Sequence, residues 1–306
     1  MLKFGVNILN FGPGANPRSL RRWAEVAEEL GYHFVMTSDH VANTPDVEAP
    51  FPAPFYDPFI VLAWLCEVTK KVEIGTTVTI LPYRHPLQTA RMAADIDQLS
   101  GGRFIFGVGT GWARQEFEAL GVPFERRGAI ANEYLSVIRD FWTKDVISHS
   151  GPFLSFRDVT TGPRPARSPR PPIWIGGSSG GALRRAVRFG DAWHPTRVRI
   201  DRLRDEGLPL LQRIAAQEGL PTPALCPRLK LRITDSQLPD DLRMAGQGTL
   251  EQVHADLEVL RGLGAQSILF DTYDDHPEST AHPERDWATL SLLAKRVLDL
   301  RANALQ

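Results

Sequence analysis

Asp39 and His40 stand together after an apolar run, as HFVMTSDH (33–40). An imidazole titrates nearer neutrality than any other side chain, so His40 is the candidate to give or take a proton. The neighbouring carboxylate of Asp39 would orient it or hold a ligand. Other apolar runs end in equally usable groups. RFIFGVGTGW (103–112) ends in Thr110, Gly111 and Trp112, and IWIGGSS (173–179) ends in Gly176, Gly177, Ser178 and Ser179. That last turn leads straight into a helical pattern. Free backbone N–H groups and the helix dipole there attract an anion, and glycine lets the backbone approach it. A ligand phosphate is the sharper expectation, and a plain capped helix is the alternative. Asn7 in FGVNIL, Thr77 and Val78 in VEIGTTVTI, and Trp193 in DAWHPT complete the polar and aromatic strand ends. Threonine is also a good strand former, and Trp193 could serve packing alone.

What is absent narrows the chemistry. The histidines show no H-x-x-x-H spacing, and there is no C-x-x-C pair, so no metal site is expected. Cys66 and Cys226 are two distant cysteines and make no disulfide framework. GGSSGG lacks the G-x-S-x-G spacing of a nucleophile elbow. A chain with an anion cradle but no metal or strong nucleophile of its own is expected to borrow its hard chemistry from a bound cofactor.

These groups need a frame that gathers them. Apolar runs at 4–9, 33–39, 72–80, 103–111, 173–177, 191–196, 225–234 and 267–272 read as strands. Between them lie helical patterns. The first begins at Asn16-Pro17 and stops at Gly31, with proline at its start and glycine past its end. Others run from Asp57-Pro58 to Thr69, from Pro86 to Gly101, over 115–142, from Ser178 or Ser179 to Gly190, and over 200–218. The last two run from a Thr249–Gln252 capping box to Gly264 and over 284–302. Strands that alternate with helices pair in parallel, and eight such units close into an α/β (β/α)8 TIM barrel. An open doubly wound sheet would carry G-x-G-x-x-G after strand one, which FGPGANP does not supply. Residues 146–172, a hairpin pattern and a Pro- and Arg-rich loop, read as an insertion within one domain spanning 1–306. In such a barrel the chemistry sits at the C-terminal strand ends.

Composition agrees with a globular protein. A formal net charge of -1 gives no field to recruit nucleic acid. No apolar stretch reaches the roughly 18 residues of a membrane span, and no signal-peptide pattern opens the chain. A cytoplasmic protein acting on a small molecule is the expectation. The apolar run FIVLAWLCEV (59–68) could support a homodimer or pack on the barrel.

Together, SDH (38–40), GTTVTILPYRHP (75–86), LSGGRFIFGVGTGW (99–112), EFEALGVPFERRG (116–128) and PPIWIGGSSGGALRRAVRFGDAWHP (171–195) resemble the bacterial luciferase-like superfamily. The closest resemblance is to its coenzyme F420-dependent oxidoreductases. It covers the chain from Phe4 to about Asp271. It implies a barrel with an insertion after the fourth unit and a flavin or deazaflavin ring in the barrel mouth. It also implies a non-proline cis peptide at Thr77-Val78 against the ring. By the same resemblance Asp39, Thr77, Val78, Thr110, Gly111 and Trp112 would contact the cofactor, and Gly176, Gly177, Ser178 and Ser179 its phosphate. Asn7, Trp112 and Trp193 would line a substrate pocket. Some sugar-phosphate dehydrogenases of this branch carry a glutamate proton donor where this chain has Trp112, so their substrate does not transfer.

The leading expectation is hydride exchange between F420 and a small organic substrate, with His40 as the catalytic proton donor or acceptor. The alternative is a monooxygenase using reduced FMN and oxygen. A non-catalytic flavin-binding barrel is the third possibility. Arg84, Arg164, Arg167 and Arg170 would either bind the acidic tail that distinguishes F420 from FMN or remain solvated loop charges.

Overall fold

A computed structural model describes residues 1–306. The barrel strands are Lys3–Ile8, Phe34–Thr37, Glu73–Thr76, Phe104–Gly109, Ile173–Gly176, Ala192–His194, a divided seventh segment, and Ser267–Asp271. All pair in parallel with their sequence neighbours, and the last also pairs with the first. The seventh segment joins the two remaining edges. Ala224–Leu225 pairs with strand six, and Arg228–Lys230 pairs with strand eight. The expected single strand over 225–234 is therefore broken. Pro227 separates its two pairings, because proline offers no N–H to a ladder.

Strand three is also interrupted. Its expected run over 72–80 stops at Thr76 and resumes as Thr79–Ile80, beside strand four. Between the two pieces lies the cis peptide Thr77-Val78, at the bond that the family resemblance indicated.

The barrel interior is filled by Phe34, Met36, Ile105, Trp174 and Leu269. Gly5 makes room for the first of these, since a Cβ there would lie 2.3 Å from the Phe34 ring. A larger apolar layer, including Trp23, Leu62, Phe106 and Trp142, packs the helices onto the outer strand faces.

Local chemistry starts and stops the helices. Asn16 accepts from the Ser19 N–H, the Ser19 hydroxyl accepts from the Asn16 N–H, and helix Pro17–Leu30 ends at Gly31 with φ +91. Thr249 and Gln252 form the expected reciprocal box. The helical region read at 115–142 is two helices, Arg114–Ala119 and Arg127–Thr143, with a 3-10 turn between them. The one read at 200–218 carries a π-turn at Leu203–Gly207, ahead of Pro209, which cannot continue the usual ladder. The last helix ends at Arg296 instead of 302, and Leu298–Asp299 then pairs antiparallel with Ala304–Leu305. Within 146–172, Val146–Ser150 and Ser155–Thr160 form an antiparallel hairpin, and no helix or strand follows until Ile173. No helix is long and apolar enough to cross a membrane.

Candidate active site

The C-terminal strand ends surround a cavity of about 570 Å3. Nine of the residues named from sequence line it: Asp39, His40, Thr77, Val78, Thr110, Gly111, Trp112, Gly176 and Gly177.

His40 is almost wholly buried, at 8% exposure. Its Nδ1 lies 2.6 Å from Oε2 of Glu116, which is itself completely buried. Glu116 also accepts from the backbone N–H groups of Val41 (2.6 Å) and Ala42 (3.0 Å) and from the Tyr83 hydroxyl (2.8 Å). Burial alone would raise the Glu116 carboxyl, but the His40 bond and the two backbone donors outweigh it and hold the carboxyl below its ordinary pKa. The Tyr83 phenol is pushed well above its usual value by burial and by Glu116, so it stays a donor. An ionised carboxylate only accepts, so the Nδ1 facing Glu116 carries a proton, and Nε2 is the ring nitrogen left without a partner in the chain.

Glu116 was not singled out from sequence. A glutamate on a short helix reads as a solvent-facing residue, and only its neighbour Phe117, also fully buried, hinted at the inward face.

Asp39 does not orient His40. Both of its oxygens bind the Arg84 guanidinium, at 2.7 and 2.8 Å, and Oδ2 also accepts from the Ile80 N–H. Arg84 reaches Asp57 as well, at 2.8 Å. Burial works against the Arg84 charge, but the two carboxylates hold its pKa above the ordinary arginine value. Arg84 is therefore neither a solvated charge nor free for a ligand. Arg164, Arg167 and Arg170 are corrected more sharply. Arg167 binds the Gly102 carbonyl and Glu73, and Arg170 binds Asp191. Those partners sit just before strand four, at the first residue of strand three and just before strand six, so the loop lies at the opposite end of the barrel. Topology requires this, because the loop feeds strand five from its N-terminal end. Arg164, on the same loop, pairs with Asp145.

The floor of the cavity is held from below. The Thr77 carbonyl accepts from Arg228 Nη1 at 2.7 Å, and the Thr77 hydroxyl meets Nε2 of the buried His194 at 2.9 Å. Arg228 is braced by Asp271, which also accepts from Asn7 at 2.9 Å and pairs with Lys230. Burial would raise the Asp271 carboxyl, yet Arg228 and Lys230 take it down to about 2. Asn7 is thus a fully buried brace and not part of the cavity lining. Trp193 is also buried, and its indole N–H donates to the Gly177 carbonyl at 2.8 Å, behind the strand-five turn. Ser178 and Ser179 are exposed beyond that turn, and the Ser179 hydroxyl caps its own helix through the Ala182 N–H. Arg228 and Lys230, both lining the cavity, escaped the sequence reading because they lie inside the apolar pattern of strand seven.

A tricyclic cofactor fits these surfaces. The cavity volume is in the range of small-molecule sites. Val78 lies against glycine backbone on two sides, since a Cβ on Gly109 would come 2.6 Å from Val78 Cγ2 and one on Gly176 3.1 Å from Val78 Cγ1. This leaves a low, apolar floor between the polar groups.

Comparison with known proteins agrees with this arrangement. The family model described as luciferase-like monooxygenase matches residues 2–237. An uncharacterised protein of Mycobacterium tuberculosis is 30% identical over 237 residues, which is 72% of this chain and 82% of that one. A pyrimidine monooxygenase of Allorhizobium ampelinum is 37% identical over 138 residues, 44% of this chain and 37% of that protein. Among solved structures, an F420-dependent secondary alcohol dehydrogenase in complex with an F420–acetone adduct shares the fold at a TM-score of 0.77 and 17% identity, covering 96% of this chain and 99% of its own. The family match over most of the chain and the shared fold converge: this protein is a member of the luciferase-like monooxygenase family.

Proposed function

We propose that the cavity holds coenzyme F420 and that the chain exchanges a hydride between it and a small organic substrate. The observation that carries this reading is the His40–Glu116 pair, which fixes Nδ1 and leaves Nε2 of a cavity-lining imidazole without a partner in the chain. The deazaflavin supplies the hydride acceptor or donor. The chain supplies the proton. Oxidising an alcohol to a carbonyl releases one hydride and one proton, and Nε2 takes the proton; in the reverse direction protonated His40 returns it to the oxygen. Asp39 and Arg84 position the strand-three bulge beneath the cofactor, and Val78, Thr77, Thr110, Gly111 and Trp112 surround the ring. Gly176 and Gly177, with φ +97 at Gly177, let the backbone approach the phosphate beside Ser178 and Ser179.

A second reading has a specific observation in its favour, the likeness to a pyrimidine monooxygenase. In it, reduced FMN and oxygen replace F420. Both cofactors present a tricyclic ring and a ribityl phosphate, so direct titration separates the readings. F420 is expected to bind and FMN to bind more weakly, with the mass and absorbance of the retained cofactor as the check. Tight binding of reduced FMN with no affinity for F420 would replace the first reading by the second. The partners we infer are a small-molecule substrate and, through Ile60 and Trp64 exposed on the otherwise barrel-packed helix Pro58–Val68, a second copy of the chain.

A further inference from the structure

The cavity has two chemically different sides. Strand order puts Thr196, Arg197, Arg228, Lys230 and Asp271 on the arc of strands six to eight. Across the mouth, the loops after strands two and four present four rings, His40, Phe51, Phe55 and Trp112, besides the strand-end residues Ser38, Asp39, Thr110 and Gly111. The His40 ring centroid lies 5.5 Å from Phe51, 5.4 Å from Phe55 and 5.7 Å from Trp112. Phe51 and Trp112 are 6.2 Å apart. Trp112 is 49% exposed although it lines a cavity, so much of its face has no partner within the chain.

This wall is pre-organised. The Gly12 N–H donates to the carbonyls of Pro52 and Pro54, the Tyr273 hydroxyl donates to the Pro50 carbonyl, and Glu48 accepts from the Ala53 N–H. Asp46 and Gln115 bond each other's backbone, which ties the strand-two loop to the helix after strand four. Ordering the wall on ligand binding therefore costs little.

From these observations we infer that the substrate is a flat, conjugated ring compound, an aryl or enone system, held on the rings of Phe51, Phe55 and Trp112 with its oxygen toward His40. This rests on the reading of the cavity as the reaction site. Aromatic faces favour flat π-systems over saturated rings of equal size, because offset-stacked and edge-to-face contacts add to simple area burial. Apart from His40 Nε2, the Trp112 indole N–H is the only polar hydrogen-bonding group that these four side chains offer. The ring body therefore meets apolar surface while the oxygen meets the proton-exchanging atom.

The test uses acetylnaphthalene and its fully ring-saturated counterpart, titrated calorimetrically into the F420-loaded, FMN-loaded and cofactor-free protein. The flat ketone is expected to bind about tenfold more tightly. Trp112→Leu and, separately, Phe51→Leu keep the wall apolar and are each expected to cut that preference severalfold; Phe51→Leu, outside the cofactor contacts named above, is expected to leave cofactor affinity in place. Equal affinities, no measurable binding of the flat ketone, or a preference that both substitutions leave intact would overturn the inference. Loss of cofactor binding with the flat preference retained would instead sink the redox reading and leave the aromatic wall standing.

Discussion

His40 and Glu116 approach to 2.6 Å between Nδ1 and Oε2, and each comes from the segment after a different barrel strand. Their contact couples the strand-two loop to the helix after strand four. The same carboxylate also holds the backbone of Val41 and Ala42, so it fixes both the ring and the loop that carries it.

Replacing Glu116 by Gln tests the electrostatic part of this coupling. A glutamine can still accept from the Val41 N–H, but its amide would donate toward Nδ1 and move the ring proton to Nε2. Turnover is expected to fall by about 10²–10⁴-fold, the usual worth of a positioned acid or base. Cofactor Kd is expected to change little, and the acidic limb of the pH–rate profile to shift. An unchanged profile with the whole loss appearing in Kd would reduce Glu116 to a structural brace. His40→Ala checks the partner: full turnover in that variant would remove His40 from the proton path.

A second prediction concerns acid. Burial pushes the His194 pKa down from 6.5 to about 4, and the nearby Arg228 charge adds to the depression. The unfolded chain therefore takes up a proton between these values that the folded chain refuses. Stability is full above pH 6.5 and declines as the pH falls toward about 4, by roughly 3 kcal/mol from this residue. Asp271, lowered from 3.8 to about 2, adds a separate loss below that window. Denaturant midpoints measured from neutral pH downward should decline less steeply for His194→Gln. Parallel slopes for the two proteins would contradict a neutral, buried His194. The Thr77 hydroxyl bonds His194 Nε2, so cavity-floor geometry should hold down through that window and change only near pH 4, where the folded chain protonates His194.

Much of this organisation was legible beforehand because it is written in local punctuation. Asn16-Pro17, Gly31 and the Thr249–Gln252 box act within one helical turn of themselves, and their partners are in the sequence pattern. Strand ends were readable for the same reason, and with them Asp39, His40, Thr110 and Gly176. The parts that escaped depend on distant partners. Glu116 is buried only because His40 lies 76 positions away in sequence and needs it. Arg84 looked free until Asp39 and Asp57 closed on it. Pro227 splits strand seven because its neighbours pair on opposite sides, a fact of ring closure that periodicity does not encode.

The floor itself gives the last prediction. Val78 fits because Gly109 has no side chain: an added Cβ would sit 2.6 Å from Val78 Cγ2 but 3.6 Å from Val78 Cβ. Gly109→Ala should thus destabilise by about 1–3 kcal/mol through overpacking. Val78→Ala alone should also destabilise, through the small cavity it leaves. Combined, the new methyl at 109 occupies space that the lost Val78 methyls vacate, so the double variant should be more stable than the sum of the single effects by about 1 kcal/mol or more. Thermal or denaturant unfolding of the four proteins completes the cycle. Strict additivity would mean that Val78 can move away from strand four at no cost, and the floor would then not be the rigid surface on which the cofactor ring is proposed to rest.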